Sequence, residues 1–391
     1  MKTSVKNSRG TWLALLWFGA LCSIAGMTIF LPVGWDLAIY QRAIKDLQGG
    51  LDPYVAGLLY PPSFVRLLRI ASVVPAVPRQ IFYWLFYAAG FGAQLWAGFK
   101  LAMPSERRVL QWALPLIVFF PGFMPNEVIL CGNIAIPIYG IVLAAAVRGW
   151  ERDQWGWFYL AVVAASLVKP PYLGLLSIPL FGGRKQIFKS ASAAGLGVAL
   201  FAAQKLIWSY EFGEYLGTVQ TASVFRNGAG HFESFGFSAA GVLASALRAM
   251  DKPFVFSSAL FYLGYGSVLF ALFVYFRWQY RLGRVRSHTW LTVLLLGTFL
   301  LSPRILQYDA LPATVPMFLL VIRGWKDTVG RWIVIAGFVG AAAAFAANRD
   351  DLEVALAMWA LLVSGLLGLY REVHLSKRSV GVESGELLPA Q

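Results

Sequence analysis

The stretch Gly34–Pro62, GWDLAIYQRAIKDLQGGLDPYVAGLLYPP, is the first long polar segment after an apolar run. Within it, apolar residues recur at helical spacing, at Leu37, Tyr40, Ile44 and Leu47. Polar and basic side chains fill the opposite face. This pattern predicts an amphipathic helix that lies in the plane of a membrane interface.

Turn-forming residues close the stretch. Gly49-Gly50 ends the predicted helix, because glycine tolerates the left-handed conformation at a helix terminus. Asp52-Pro53-Tyr54 predicts a turn. Tyr60-Pro61-Pro62 places proline in the first turn of a following helix, where its missing N–H costs nothing.

The composition outside this stretch is that of a polytopic membrane protein. Of 391 residues, 58% are hydrophobic and only 13% are charged, whereas soluble domains carry about 25% charged residues. The net charge of +14 (33 basic minus 19 acidic residues) comes with no basic stripe or nucleic-acid-binding motif. We therefore attribute the charge to cytoplasmic loops and expect no nucleic-acid partner.

A membrane-crossing helix needs about 20 apolar residues. The sequence predicts an all-α fold, a polytopic bundle of about twelve transmembrane helices. The predicted spans are 11–31, 80–101, 108–123, 127–148, 155–169, 171–181, 188–208, 254–277, 288–302, 306–323, 330–347 and 352–370. Residues 61–75 predict a further interfacial or re-entrant helix. The short pair at 155–181 predicts two half-length helices that meet at Lys169-Pro170-Pro171, since proline interrupts the backbone ladder.

Charge sorting sets the expected topology. With the N-terminus in the cytoplasm, the loops on that side are basic, and most loop acids fall on the opposite side. We expect a multi-pass plasma-membrane protein with both termini cytoplasmic, one membrane domain over residues 1–374 and a disordered cytoplasmic tail over 375–391. Of the two long outer loops, 32–60 is the candidate site, and 209–253 is either a substrate cover or a surface connector.

Asp36 is the leading candidate for chemistry. It lies at the start of the predicted amphipathic helix, beside the membrane surface. An aspartate at that place is a good N-cap and suits the positive end of the helix dipole. It can also act as a general base; the two roles can coexist, and the sequence leaves both open.

Further ionisable residues are predicted at the outer ends of apolar spans. Burying a charge there costs free energy, so such residues are candidates for a function. They are Glu127, Lys169, Arg304 and Asp309. The two cations suit an anionic headgroup, and an arginine can clamp a phosphate through two hydrogen bonds. Snorkelling of the cations and capping or ion pairing of the acids are the alternatives. Asn133, inside a span, is expected to bind a polar ligand or a neighbouring helix.

No metal site is expected. The three histidines, His231, His288 and His374, are far apart, and the two cysteines lie in separate apolar runs. No cluster of carboxylates has the spacing of a metal-binding loop.

Several of these motifs together resemble the integral-membrane glycosyltransferases of the C superfamily, and within it glycosyltransferase family 87. The motifs are Asp36 with Tyr40, the GGLDPY turn with Tyr54, Tyr60-Pro61-Pro62, Gly132-Asn133, Lys169-Pro170, and Ser302-Pro303 with Tyr308-Asp309. Gly132-Asn133 stands where the family has Gly-Gln. The later segment reads PRILQYD, without the histidine pair that mannosyltransferases of the family often carry.

The resemblance implies a bundle of the C-superfamily type with an inverting, polyprenyl-phosphate-dependent activity. A hexose, with mannose expected, would pass to a hydroxyl of a lipid or glycan acceptor at the outer face. Asp36 would be the general base, and the lipid-linked donor would make any further cofactor unnecessary. The substrate-binding residues would be Tyr40, Tyr54, Tyr60, Glu127, Asn133, Lys169, Arg304, Tyr308 and Asp309.

Two other functions compete with this one. A transporter or flippase of an anionic or lipid-linked substrate would place ionisable residues on broken helices near the middle of the membrane. The proline-broken pair around Lys169 favours it, whereas the concentration of charges toward one surface and the lack of an internal repeat do not. A non-catalytic subunit that binds a lipid-linked glycan is the second alternative.

Overall fold

The computed structural model describes residues 4–30, 33–119, 129–182, 186–228, 238–250, 256–302, 305, 311–347 and 350–385. Every regular element in these ranges is a helix, which confirms the predicted all-α class. Four predicted site residues, Glu127, Arg304, Tyr308 and Asp309, lie outside the described ranges.

The chain divides into two compact units. The first comprises Met1–Leu180, Arg184–Ser234 and Leu306–Thr314, and the second comprises Phe181–Gly183, Phe235–Ile305 and Val315–Gln391. The α-helices of the first unit are α1 Ser4–Phe30, α2 Trp35–Gln48, α3 Pro62–Ser72, α4 Ala76–Leu101, α5 Pro104–Phe119, α6 Ala135–Arg152, α7 Gly156–Ser166, α8 Ser177–Leu180, α9 Gln186–Ile207 and α10 Ser209–Gly228. Short 3-10 helices cover Pro53–Ala56, Pro170–Leu176 and Leu311–Ala313.

The second unit contains the remaining α-helices. They are α11 Ala239–Ala249, α12 Phe256–Arg281, α13 Ser287–Leu300, α14 Thr314–Trp325, which starts at the unit boundary, α15 Thr328–Ala346 and α16 Asp350–Gly385. An aromatic cluster of Phe181, Phe273 and Trp290 forms part of its core. In this unit α15 and α16 pack closely at Gly337. A Cβ added to that residue would come within 2.2 Å of the Ala360 Cβ.

Four helical segments in the described ranges are long and apolar enough to cross a membrane: Gln186–Ile207, Leu260–Arg281, Thr328–Ala346 and Leu352–Ser376. They correspond to four of the predicted spans. Where the structure describes the other predicted spans, their helices are either too short or not apolar enough to be counted with these four. The count of about twelve spans therefore stays a prediction.

The amphipathic helix predicted in the opening stretch is present as α2. It buries Tyr40, Ala43 and Ile44 and ends where Gly49 forms its C-cap. Asp52 caps the 3-10 helix that follows, accepting a hydrogen bond from the Tyr54 N–H at 2.9 Å. Pro62 opens α3, as the Pro-Pro pair predicts. The local prediction succeeds because each boundary is set by glycine or proline; the placement of α2 in a membrane interface stays a prediction.

Elsewhere the helix boundaries differ from those predicted. Helix α6 begins at Ala135, since residues 131–134 are not helical. Helix α10 occupies the first part of the segment 209–253 that the sequence predicts as a loop, and α11 lies in its second part. Helix α16 continues beyond Leu375, where the sequence predicts a disordered tail, to Gly385.

Helices α4 and α6 of the first unit cross in close contact. A Cβ on Gly90 of α4 would come within 2.3 Å of the Pro137 Cα of α6, and one on Gly140 would come within 2.1 Å of the Gly90 carbonyl oxygen. The two backbones therefore touch, which only glycine allows. This contact fixes the residues just before α6 against the tyrosines on α4.

Candidate active site

Helix α2 begins on the backbone of the segment before α6. The first N–H groups of a helix have no partner within the helix and need one elsewhere. Here the Gly34 N–H donates to the Leu130 carbonyl at 2.7 Å, and the Asp36 N–H donates to the Cys131 carbonyl at 3.0 Å. Two main-chain hydrogen bonds thus tie the start of the polar stretch to a distant part of the chain.

Two glycines make this contact possible. Gly34 has φ 74° and Gly132 has φ 68°, in the left-handed region that other residues seldom adopt. A Cβ on Gly132 would lie 3.2 Å from the Leu37 Cβ and 3.3 Å from the Gly34 Cα. The close approach of the two segments therefore depends on glycine for both conformation and space.

Asp36 is not the helix cap. The N-cap of α2 is Gly34, and no side chain in the described part of the chain caps this end. The Asp36 carboxylate instead accepts a hydrogen bond from the Asn133 side chain, with 2.9 Å between Nδ2 and Oδ2. Its place in the first turn still suits the helix dipole, but its side chain is held by a residue outside α2.

The orientation of the Asn133 amide is fixed by its other partners. Its Oδ1 accepts from the Ala135 N–H at 2.8 Å and from the Tyr60 O–H at 3.5 Å. A backbone N–H can only donate, so the oxygen must face Ala135 and the NH2 group must face Asp36. Asn133 is buried, with 3% of its surface exposed, and it presents a fixed donor to the carboxylate.

Two tyrosines continue the hydrogen-bonded chain. The Tyr40 and Tyr60 hydroxyl oxygens are 2.7 Å apart, and Tyr40 also accepts from the Ile134 N–H at 3.3 Å. Because the Tyr60 proton points to Asn133, Tyr40 donates to Tyr60. Burial raises the pKa of Tyr40 well above its usual range, and the neighbouring tyrosines raise it further, so the hydroxyl stays neutral. The chain from Tyr40 to Asn133 therefore positions the amide.

Lys169 contributes its charge to the same site. It is the N-cap residue of the 3-10 helix Pro170–Leu176 and is partly exposed. Burial raises the pKa of the Asp36 carboxyl above its usual range, while the Asn133 hydrogen bond, the Cys131 thiol and the Lys169 charge each lower it. The net direction is upward, which makes Asp36 a stronger proton acceptor when ionised.

Tyr54 belongs to the same hydrophobic cluster as Tyr40 but faces different polar groups. It is buried beside Tyr215, with ring centroids 6.5 Å apart. Burial raises the pKa of its hydroxyl, and Glu211 and Asp52 raise it further, whereas Arg66 lowers it. The structure thus brings Asp36, Tyr40, Tyr60 and Asn133 into one network and places Tyr54 among other charged side chains.

Sequence reasoning missed two tyrosines of α4. The Tyr83 hydroxyl donates to the Gly132 carbonyl, and the Tyr87 hydroxyl donates to the Ile129 carbonyl at 3.0 Å. They hold the segment on which Asp36 and Asn133 meet. Their spacing of four residues places both on one face of a helix, and this was the available signal.

The comparisons with known proteins give one match. The model of glycosyltransferase family 87 matches residues 58–303, which is more than half of the chain. No curated protein and no solved structure matches. The matched range contains Tyr60, Asn133 and Lys169, whereas Asp36, Tyr40 and Tyr54 precede it.

Proposed function

The chain belongs to glycosyltransferase family 87 and is therefore a membrane glycosyltransferase; we propose that its donor is a hexose, specifically mannose, carried on a polyprenyl phosphate. The acceptor is a hydroxyl group of a lipid or glycan, and the reaction inverts the anomeric carbon. The lipid-linked donor is a co-substrate, and no other cofactor takes part. The family assignment favours this enzyme over the transporter or flippase.

Asp36 is the general base in this proposal. The acceptor oxygen attacks the anomeric carbon and forms the new C–O bond, and its proton passes to the Asp36 carboxylate. The bond between that carbon and the phosphate oxygen breaks, and the polyprenyl phosphate leaves with the electron pair. Asn133 holds Oδ2 of the base, which fixes the carboxylate while the proton is transferred.

A cation is needed at the leaving phosphate, because negative charge develops there in the transition state. Lys169 fills this role in the proposal, since its charge already acts on Asp36. Arg304 is a second candidate from sequence alone, with Glu127, Tyr308 and Asp309 as further substrate-binding residues. The site faces the outer side of the plasma membrane, and both termini are cytoplasmic, as the loop charges predict.

The observation that supports this proposal most is the Asp36–Asn133 hydrogen bond, because it gives a fixed orientation to a carboxylate whose pKa burial raises. The test is transfer of radiolabelled mannose from polyprenyl-phosphate mannose in membranes that contain wild-type protein or Asp36→Asn. The variant should be expressed and folded, and transfer should fall by about 10²–10⁴-fold, the usual contribution of a general base. Equal turnover by both proteins would exclude Asp36 as the base.

A further inference from the structure

Outside the Asp36 network, Arg66 of α3 and Glu211 of α10 lie close enough to Tyr54 to act on the pKa of its hydroxyl. Gln204 of α9 joins the same group through a hydrogen bond with Ser63, in the first turn of α3. An ion pair joins Arg66 of α3 to Glu211 of α10, and the Arg66 guanidinium lies 5.1 Å above the Trp208 ring. The two charged side chains are 26% and 22% exposed, so the cluster opens to the surface. It therefore combines charged, aromatic and buried polar groups at one place that the proposed chemistry does not use.

Three buried hydrogen-bonding groups in this cluster have no partner among the described residues: the Tyr54 hydroxyl, the Gln204 Nε2 and the Arg66 Nε. The Tyr54 and Gln204 side chains are 4% and 2% exposed. The amide of Gln204 has a fixed orientation, because its Oε1 accepts from the Ser63 N–H at 3.0 Å. Its NH2 group therefore points away from Ser63 and needs another acceptor, since leaving such a buried donor unpaired costs free energy.

The charges of the cluster disfavour an anion. The positive charge of Arg66 is already paired with Glu211, and the Glu211 and Asp52 carboxylates both act unfavourably on a negative charge at Tyr54. A neutral molecule with many hydroxyl groups fits better. It can accept from Tyr54 and Gln204, donate to Glu211 and lay its C–H face on an aromatic ring.

We infer that Tyr54, Gln204 and the Arg66–Glu211 pair bind a neutral sugar of the acceptor, separately from the donor phosphate. The inference rests on the proposed function, which it deepens by naming the substrate class of this cluster. The sugar completes the hydrogen bonds of Tyr54 and Gln204, and Glu211 accepts from one of its hydroxyls.

Tyr54→Phe is the decisive variant. It removes one oxygen that has no partner among the described residues, so the melting temperature should not change. Tyr210→Phe is the matched control, because Tyr210 is on the same helix as Glu211 and is 69% exposed. Gln204→Met is a second variant; it also removes the Ser63 hydrogen bond, so its melting temperature is measured alongside.

Binding is measured by calorimetry without donor, with full-length protein in phospholipid nanodiscs. The probes are octyl α-mannoside and octyl β-glucoside as neutral sugars and undecyl phosphate as the lipid anion. Wild-type protein and Tyr210→Phe should bind at least one glycoside with the same Kd. Tyr54→Phe and Gln204→Met should bind it about three- to tenfold more weakly, which corresponds to one lost hydrogen bond, with undecyl phosphate unaffected.

Several results would overturn the inference. One is an equal glycoside Kd for Tyr54→Phe and Tyr210→Phe, as expected if only water fills the cluster. Another is that Tyr54→Phe weakens the binding of undecyl phosphate alone or lowers the melting temperature. A third is that wild-type protein shows no saturable binding of either glycoside. Failure of the base assignment would appear only in the transfer assay, and failure of the sugar site would appear only in the binding assay.

Discussion

Asn133 donates a hydrogen bond from Nδ2 to Oδ2 of Asp36 over 2.9 Å, although 97 residues separate the two in sequence. The bond joins the first turn of α2 to the turn before α6. Both side chains gain a fixed orientation from it, and the pKa of Asp36 becomes sensitive to Asn133. The first predictions test that coupling.

Asn133→Leu should shift the pH dependence of sugar transfer. The Asn133 hydrogen bond lowers the pKa of Asp36 against the upward effect of burial, so its loss should raise that pKa further. Since the base acts when ionised, the acidic limb of the pH–rate profile should move to higher pH. The profile is measured as kcat/KM for the donor; an acidic limb that stays in place would contradict the assigned coupling.

Asp36→Asn should change the pH dependence of stability. The folded-state pKa of Asp36 is raised, mainly by burial, so the protonated carboxyl stabilises the fold. That contribution is complete below the unfolded-state pKa and is lost as pH rises through the folded-state pKa. The variant lacks this titration, so it should gain melting temperature relative to wild type as the pH rises from the unfolded-state pKa through the raised folded-state pKa of Asp36. A difference between the two that does not vary with pH would exclude the effect.

Gly132→Ala should destabilise the protein and reduce transfer. Alanine at the left-handed φ of 68° costs about 1–2 kcal/mol, and its Cβ would press on Leu37 and the Gly34 backbone. Gly50→Ala is the matched control, with φ 70° and nothing within 4 Å of an added Cβ. Melting temperatures report the shared conformational cost, and only Gly132→Ala should also lose activity. An equal loss of activity in both would show that contact with Leu37 does not matter.

Gly90→Ala should separate α4 from α6. Its Cβ would come within 2.3 Å of the Pro137 Cα, so we expect a loss of at least about 1–3 kcal/mol, the usual cost of overpacking. Gly92→Ala, two residues along the same helix, meets nothing within 4 Å and should stabilise by about 0.5–1 kcal/mol. Thermal unfolding followed by size-exclusion chromatography in detergent distinguishes the two. Similar melting temperatures would argue against the close helix crossing.

Lys169→Gln should weaken the use of donor more than the use of acceptor. The variant loses the positive charge proposed for the phosphate, and it should also raise the pKa of Asp36, since Lys169 lowers it. Lys205→Gln, at an exposed position of α9, is the control and should behave like wild type. The two KM values are measured separately with polyprenyl-phosphate mannose and a glycoside acceptor. A rise confined to the acceptor KM would move the phosphate role to Arg304.

The sequence by itself determined the helical class and the local boundaries of the opening stretch. The composition, with 13% charged residues, requires burial in lipid rather than in a water-soluble core. Helix α2 ends at Gln48, before Gly49 and the left-handed Gly50, because glycine adopts a positive φ without strain. Helix α3 starts at Pro62, because proline fixes φ at a helical value and its missing N–H is not needed in the first turn. These are local effects, and no distant partner is needed to predict them.

Only the tertiary structure decided which groups Asp36 contacts. From sequence, a helix cap and a base were both open, because both place an aspartate at the start of a helix. Three features depend on contacts between segments far apart in the chain. They are the hydrogen bond from Asn133 to Asp36, the hydrogen bond from Tyr83 to Gly132, and the Tyr54 hydroxyl that has no partner among the described residues. Helical spacing fixes which residues share a face, but the packing of α4 against α6 through Gly90 fixes which faces meet.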